Sequence, residues 1–169
     1  MNAINQELRA KSMTTSTSRA NAIQAGLGAG LFGGVAIWLY EAVVWAGIQH
    51  LMPITAIPGN ATGLVFGHAI KQALGIWADG LGLVIHFGFA MVWGVAFALV
   101  WPHLRRRGWE ATLVALCMAP ILWVCMHVAI ALAGHEHPDY LDPQIIIGGI
   151  FSHIFYTVPM ALRVKFRLA

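Results

Sequence analysis

The chain has 169 residues, of which 59% are hydrophobic and only 10% are charged. Soluble domains contain about 25% charged residues, so this composition excludes an ordinary water-soluble protein and leaves no length for a separate soluble domain. The net charge of +3 does not indicate a nucleic-acid partner, because the basic residues flank apolar stretches and form no extended polar face. We expect one transmembrane domain over residues 21–169, with the lipid bilayer as its partner.

The N-terminal segment, residues 1–20, is polar and rich in Ser and Thr. This composition predicts a disordered tail, which the topology described below assigns to the cytoplasm. The apolar run that follows is too long for the core of a signal peptide and has no convincing cleavage site. A mitochondrial transit peptide is the alternative that the Arg and Ser residues of this segment leave open.

Four apolar stretches follow in chain order. Each is close to the roughly 20 residues that a membrane-spanning helix needs. The sequence therefore predicts an all-α membrane protein, a bundle of four transmembrane helices. The stretches run from about Ala22 to Ile48, from Leu81 to Trp101, from Ala111 to Ala133 and from Gln144 to Leu162.

Nine of the ten basic residues form three clusters beside these stretches, and Lys71 is the exception. Basic residues next to membrane spans are retained on the cytoplasmic side. The pattern therefore predicts that both termini lie in the cytoplasm. The clusters are Arg9, Lys11 and Arg19, then Arg105, Arg106 and Arg107, and finally Arg163, Lys165 and Arg167.

The segment between the first two stretches, residues 52–80, is longer than the other connections. Within it, Pro58-Gly59-Asn60 is typical of a turn. The following LVFGHAIKQALGIW predicts a short helix along the outer membrane interface, with Lys71 toward water. A re-entrant dip into the bilayer is the alternative.

Small residues recur along the first predicted helix, where Gly26, Gly30 and Gly34 share one face. This spacing lets another helix approach closely. We expect the face to pack within the bundle, with association with a second copy or a larger membrane complex as the alternative. The two cysteines, Cys117 and Cys125, are expected to be buried apolar fillers.

One ionisable side chain lies inside each predicted helix: Glu41, His86, His127 and His153. Such groups usually face the interior of a membrane bundle. Counted from the predicted outer helix ends, Glu41, His86 and His127 share one depth of roughly 8–9 Å, at a rise of about 1.5 Å per residue. His153 is expected about one helical turn deeper.

Several interpretations fit these side chains, and the first is a packing network of hydrogen bonds between helices. Alternatively, His86, His127 and His153 hold a haem, or Glu41, His86 and His127 bind a transition metal. A third alternative is a path for protons or ions. The sequence has no HExxH or CxxCH motif, no Gly-rich phosphate loop and no serine elbow, so the cofactor stays unknown.

His135 and His137 form a second, smaller cluster in the acidic segment GHEHPDYLDP. Two imidazoles beside carboxylates are suited to Zn²⁺ or Cu²⁺. Loop polarity explains them equally well, because a short loop that faces water needs polar residues.

Three segments carry a family resemblance: GLGAGLFGGVAIWLYEA, VIHFGFAMVWGVAFALVWP and GGIFSHIFYTVPM. They contain Glu41, His86 and His153, and His127 has a counterpart whose spacing from the preceding hairpin differs by about a turn. In these segments the chain resembles the YagU-like family of uncharacterised bacterial inner-membrane proteins. The resemblance implies a four-helix inner-membrane fold and no established reaction.

The sequence thus favours a polytopic membrane protein without enzymatic activity of its own, which supports the envelope or serves as an accessory subunit. A haem- or metal-binding protein and a small proton or ion conductor are the alternatives, and both use the intramembrane residues.

Overall fold

The structure is a computed structural model that describes residues 3–132 and 142–169, with side chains from Arg19 onward. It is all-α and 88% helical, which confirms the predicted class. The elements are α1 (Ala3–Tyr40), a π-helical segment (Glu41–Ile48), α2 (Ala56–Phe66), α3 (His68–Leu74), α4 (Trp77–Arg106), α5 (Ala111–Leu132) and α6 (Pro143–Arg167).

Within the described residues, four helical spans are long and apolar enough to cross a membrane. This confirms the predicted number of spans. Their exposed side chains are largely apolar, as expected for surfaces that face hydrocarbon. The spans are Arg19–Ile48, Trp77–Arg106, Ala111–Leu132 and Pro143–Arg167.

The backbone of α1 is helical from Ala3, and α1 therefore includes most of the predicted disordered tail. The structure describes no side-chain contact of residues 3–18. The disorder of residues 1–20 in solution stays a prediction.

Helix α4 is longer than the sequence predicts at both ends, since it begins at Trp77 and continues through Pro102 to Arg106. At its start, the hydroxyl of Thr62 in α2 donates to the carbonyl of Ala78 at 2.6 Å. The first turn is thus packed against α2. At its end, Pro102 removes a single backbone N–H, which a membrane helix tolerates when its neighbours satisfy the freed carbonyl.

The long segment between the first two spans contains two short helices, which differs from the prediction. Pro58-Gly59-Asn60 is helical and lies in α2, so the predicted turn is wrong. Pro58 is in the first turn of α2, where a missing N–H costs no intrahelical bond. Gly67, with a φ of 86°, separates α2 from α3, because glycine adopts this conformation without a Cβ clash.

Helix α1 lies at the centre of the bundle and packs against both α4 and α6, whereas α5 packs mainly against α6. Gly26 lies against the backbone of Gly94, and Gly30 against that of Ala90. Gly34 contacts the side chain of Ala90. The small-residue face is thus used inside the chain, and association with a second copy or a larger complex stays a prediction.

Both cysteines are free and exposed, so the expectation that they are buried is wrong. On α5 they share the outward face with Leu113, Ile121 and Val128, which are about half exposed. This face points away from α6, and the small thiol side chains belong to the apolar surface of the bundle.

Side-chain contacts join the second and third basic clusters. Arg105 Nη1 donates to the carbonyl of Leu168 at 2.7 Å, and Lys165 Nζ lies 2.7 Å from Glu110 Oε1. The other carboxylate oxygen of Glu110 accepts the backbone N–H of Thr112 at 2.6 Å. The bond from Lys165 and the backbone bond from Thr112 lower the pKa of Glu110 from 4.5 to about 2.

Arg19, which belongs to the first basic cluster, lies at the same end of the bundle as the second and third clusters. Helices α1 and α4 are antiparallel, with Gly26 opposite Gly94. Arg19 precedes Gly26 by about two turns, and it therefore lies near the level of Trp101. We call this region the basic end, and its basic side chains are Arg19, Arg105, Arg106, Arg107, Arg163, Lys165 and Arg167.

Candidate functional site

His86 of α4 is hydrogen-bonded to α1. Its Nε2 atom lies 2.9 Å from the carbonyl oxygen of Gly34. A carbonyl oxygen only accepts, and Nε2 therefore carries the proton. The half-buried ring also meets Phe87 edge-on, with the ring centroids 5.0 Å apart. The bond joins two helices directly, as His side chains commonly do in membrane bundles.

The expected common level of His86 and Glu41 is wrong. Helix α4 begins at Trp77, about one turn before the predicted start at Leu81, so His86 lies about one turn further from the start of its helix than expected. Gly34, its partner, precedes Glu41 by seven residues on α1. This spacing separates the two levels by roughly 10 Å. His86 and Glu41 do not share a depth.

His153 of α6 lies close to the level of His86. Helices α4 and α6 run parallel, and the hydroxyl of Tyr156 donates to the carbonyl of Ala90 at 2.7 Å. His153 and His86 precede these two residues by about one turn each. The expectation that His153 lies one turn below the other histidines is therefore wrong with respect to His86.

The ring of His153 is fixed by its own helix. His153 Nδ1 lies 2.7 Å from the carbonyl of Gly149, and the buried hydroxyl of Ser152 donates to the same oxygen at 2.8 Å. Both donors satisfy their hydrogen-bonding capacity within α6. The proton of His153 is thus on Nδ1, and Nε2 carries the lone pair in the neutral ring.

His127 of α5 repeats this arrangement. Its Nδ1 lies 2.6 Å from the carbonyl of Trp123, and the rings of Trp123 and His127 are 4.2 Å apart. The Trp123 indole lies directly against the backbone of Gly149. The tryptophan therefore connects the helical turn that carries His127 to the turn that carries His153.

His153 relates to both other histidines along the bundle, because the bond of Tyr156 to Ala90 places it near the level of His86 and Trp123 connects its turn to that of His127. The three histidines come from three different helices. Each uses one ring N–H on a backbone carbonyl, and this orients the ring. Among the described residues, however, no group of three His, Cys, Asp or Glu side chains is placed to hold a metal ion.

Glu41 lies apart from this group. It is half-buried and opens the π-helical segment, a geometry that is frequent at functional sites. No hydrogen bond joins its carboxylate to another described residue. The adjacent Tyr40 stacks on Phe155 of α6, with centroids 4.4 Å apart.

The haem site at His86, His127 and His153 and the metal site at Glu41, His86 and His127 stay predictions. The donor types suit either group, and the lone pairs of His86 Nδ1 and His153 Nε2 are not used by a described hydrogen bond. His135 and His137 lie outside the described residues, so their metal site also stays a prediction.

Two contacts of the buried polar network were not predicted. Tyr156 bonds α6 to α4, and Ser152 bonds within α6. Their spacing of four residues places both on one helix face. This pattern in SHIFYT could have indicated a polar face that looks toward the bundle interior.

Comparisons with protein-family models, with curated proteins and with solved structures give no match.

Proposed function

We propose that the chain is a polytopic protein of a bacterial inner membrane, with both termini in the cytoplasm. In this proposal it supports the envelope or a larger membrane complex and has no reaction of its own. The resemblance of its apolar segments to the YagU-like family is part of the same proposal.

One observation carries the proposal: the intramembrane imidazoles donate to backbone carbonyls of the chain itself. His86 binds α1, whereas His127 and His153 bind their own helices. Polar groups that are satisfied inside a bundle stabilise its packing. The basic end adds support for the orientation, since basic residues are retained on the cytoplasmic side.

The absence of a cofactor is tested by purifying the protein from cells supplied with haem precursors and transition metals. We expect a colourless protein with less than stoichiometric metal. A Soret band, or one bound metal per chain that is lost in His127→Ala, would contradict the proposal. His103→Ala is the matched control, because His103 is exposed near the basic end.

The orientation is tested by cysteine labelling. Cys117 and Cys125 are exposed, and both must first be replaced by Ala. In that background, Ile76→Cys probes the end opposite the basic end, where Ile76 is 82% exposed, and Arg107→Cys probes the basic end. We expect a membrane-impermeant maleimide to label position 76 from the periplasm and position 107 only after lysis. The reverse pattern would contradict the orientation.

A second candidate is a small proton or ion conductor, which is favoured by the placement of His153 near the level of His86 and beside the turn that carries His127. Proton flux is measured in liposomes that contain the purified protein. Flux that is lost in both His153→Gln and Glu41→Gln, and kept in His103→Gln, would support this candidate. Flux equal to that of empty liposomes would remove it.

A further inference from the structure

Arg163 differs from the other basic residues of the basic end. Its guanidinium carbon lies over the ring of Phe32 in α1, 5.0 Å from the ring centroid. This is within the distance at which a cation is attracted to an aromatic face. No hydrogen bond or ion pair joins Arg163 to another described residue. The guanidinium is therefore held in place while its N–H donors have no acceptor in the described part of the chain.

At the position of Arg163, guanidinium N–H groups without an anion to accept their hydrogen bonds are energetically unfavourable. Arg163 lies one turn inside the end of α6. Helical side chains lean toward the N-terminus of their helix, and here this direction leads away from the basic end. A charged group within a membrane span usually has a partner or marks a binding site. The ring of Phe32 supplies attraction but no hydrogen-bond acceptor.

The surface around Arg163 is open to the surroundings of the bundle. Phe32 is 49% exposed, so its ring lies at the outer edge of the contact between α1 and α6. Gly28 precedes Phe32 by one turn on the same side of α1, and a Cβ atom added there would meet no atom within 4 Å. Gly28 thus leaves one position of α1 without a side chain between Phe32 and the basic end.

The positive charge of the basic end indicates that the ligand of Arg163 is an anion. Among the described side chains, the seven basic residues of the basic end face one acidic residue, Glu110. That carboxylate is already bound to Lys165 and to the backbone of Thr112. No acidic side chain of this end is then left for Arg163, and a ligand from outside the chain can supply the anion. In a membrane, the anions at this depth are lipid phosphates, which basic pockets between helices bind.

We propose that Arg163, Phe32 and Gly28 form a binding site for the phosphate of an anionic phospholipid, between α1 and α6. The lipid phosphate accepts hydrogen bonds from the guanidinium, which the Phe32 ring holds in position. The acyl chains lie along the exposed apolar face of α1. Arg167, one turn further along α6 and exposed, lies on the side from which the headgroup enters.

The test is thermal unfolding of the purified full-length protein in a neutral detergent, titrated with phosphatidylglycerol. We expect a saturable rise in Tm for the wild-type chain. Arg163→Gln should raise the half-saturating lipid concentration at least tenfold, and Phe32→Leu should raise it less. Arg106→Gln, an exposed arginine of the same end, should change it less than twofold. If Arg163→Gln and Arg106→Gln raise the half-saturating lipid concentration equally, lipid binding depends only on the total charge of the basic end, and the proposal is overturned.

Two further experiments complete the test. One distinguishes a lipid phosphate from free phosphate, and the other applies if Arg163→Gln does not fold. Inorganic phosphate at the same concentration should give no saturable rise, and a rise equal to that of the lipid would identify a free-anion site and overturn the proposal. Arg163→Lys keeps the charge but not the planar fork of donors. If Arg163→Gln does not fold, Arg163→Lys should still weaken lipid binding several-fold, and wild-type affinity in that variant would contradict the site.

Discussion

The imidazole of His86 donates its Nε2–H to the carbonyl oxygen of Gly34 across the contact between α4 and α1, over 2.9 Å. The bond lies next to a close approach of the two helices, where Gly30 meets the backbone of Ala90. Backbone contact and side-chain hydrogen bond thus occur on neighbouring turns. The stability of this contact depends on both.

His86→Phe removes the hydrogen bond and keeps a ring of similar size. We expect the free energy of unfolding to fall by about 0.6–2 kcal/mol, the range for hydrogen bonds between membrane helices. Reversible unfolding in mixed micelles measures the change. His103→Phe, on the same helix but exposed, should leave the free energy of unfolding almost unchanged, and equal losses in both variants would argue against the bond.

Gly30→Ala tests the backbone contact. The new Cβ would collide with the carbonyl of Ala90 and lie 2.7 Å from the Cα of Met91. Such overpacking costs about 1–3 kcal/mol. Gly88→Ala is the control, because a Cβ there meets no atom within 4 Å and alanine favours helix over glycine. A Gly30→Ala variant as stable as Gly88→Ala would contradict the packing of α1 on α4.

Gly149→Ala tests the attachment of α5. An added Cβ would lie 2.5 Å from Cδ1 of Trp123, so the indole must move and α5 must separate from α6. Since α5 packs mainly on α6, we expect faster proteolysis of the connections of α5. Gly148→Ala, one residue away, brings its Cβ only within 3.8 Å of Trp45, and it should be cleaved at the wild-type rate. Identical cleavage of the two variants would show that Trp123 does not rest on Gly149.

The ion pair between Glu110 and Lys165 should make the basic end sensitive to acid. The folded chain lowers the pKa of Glu110 from 4.5 to about 2. A lowered carboxyl pKa stabilises the folded state above the unfolded value, and the contribution is lost as the pH falls toward the folded value. Wild type should therefore unfold at a higher Tm than Glu110→Gln above pH 5, and the two should converge as the pH approaches about 2. A constant difference in Tm over this range would contradict the pair.

The spans could be predicted from sequence because their length and apolar composition are set by the bilayer. The distance of His86 from the start of its helix could not, since it depends on where α4 begins. That boundary is set by contacts with α2, such as the bond from Thr62 to Ala78. Helix α2 was itself missed, because Pro58-Gly59-Asn60 has the composition of a turn and becomes helical where Pro58 falls in a first turn.

The histidines of the candidate site could likewise be predicted only in part from the sequence. Their residue type and apolar surroundings identified them in the sequence. Their carbonyl partners could not be predicted, because ring orientation depends on side-chain packing, such as that of Trp123 on Gly149. The π-helical start at Glu41 also had no sequence signal, and nothing in the local composition explains it.

The most direct test of the proposed packing role is nitrogen-15 NMR of the imidazoles in lipid bilayers, assigned with single His→Gln variants. We expect a protonated Nδ1 at His127 and His153 and a protonated Nε2 at His86, since each bonds a backbone carbonyl. An unprotonated Nδ1 at His127 or His153, or an unprotonated Nε2 at His86, would contradict this assignment. The imidazoles would then be available to a metal, a haem or a proton path.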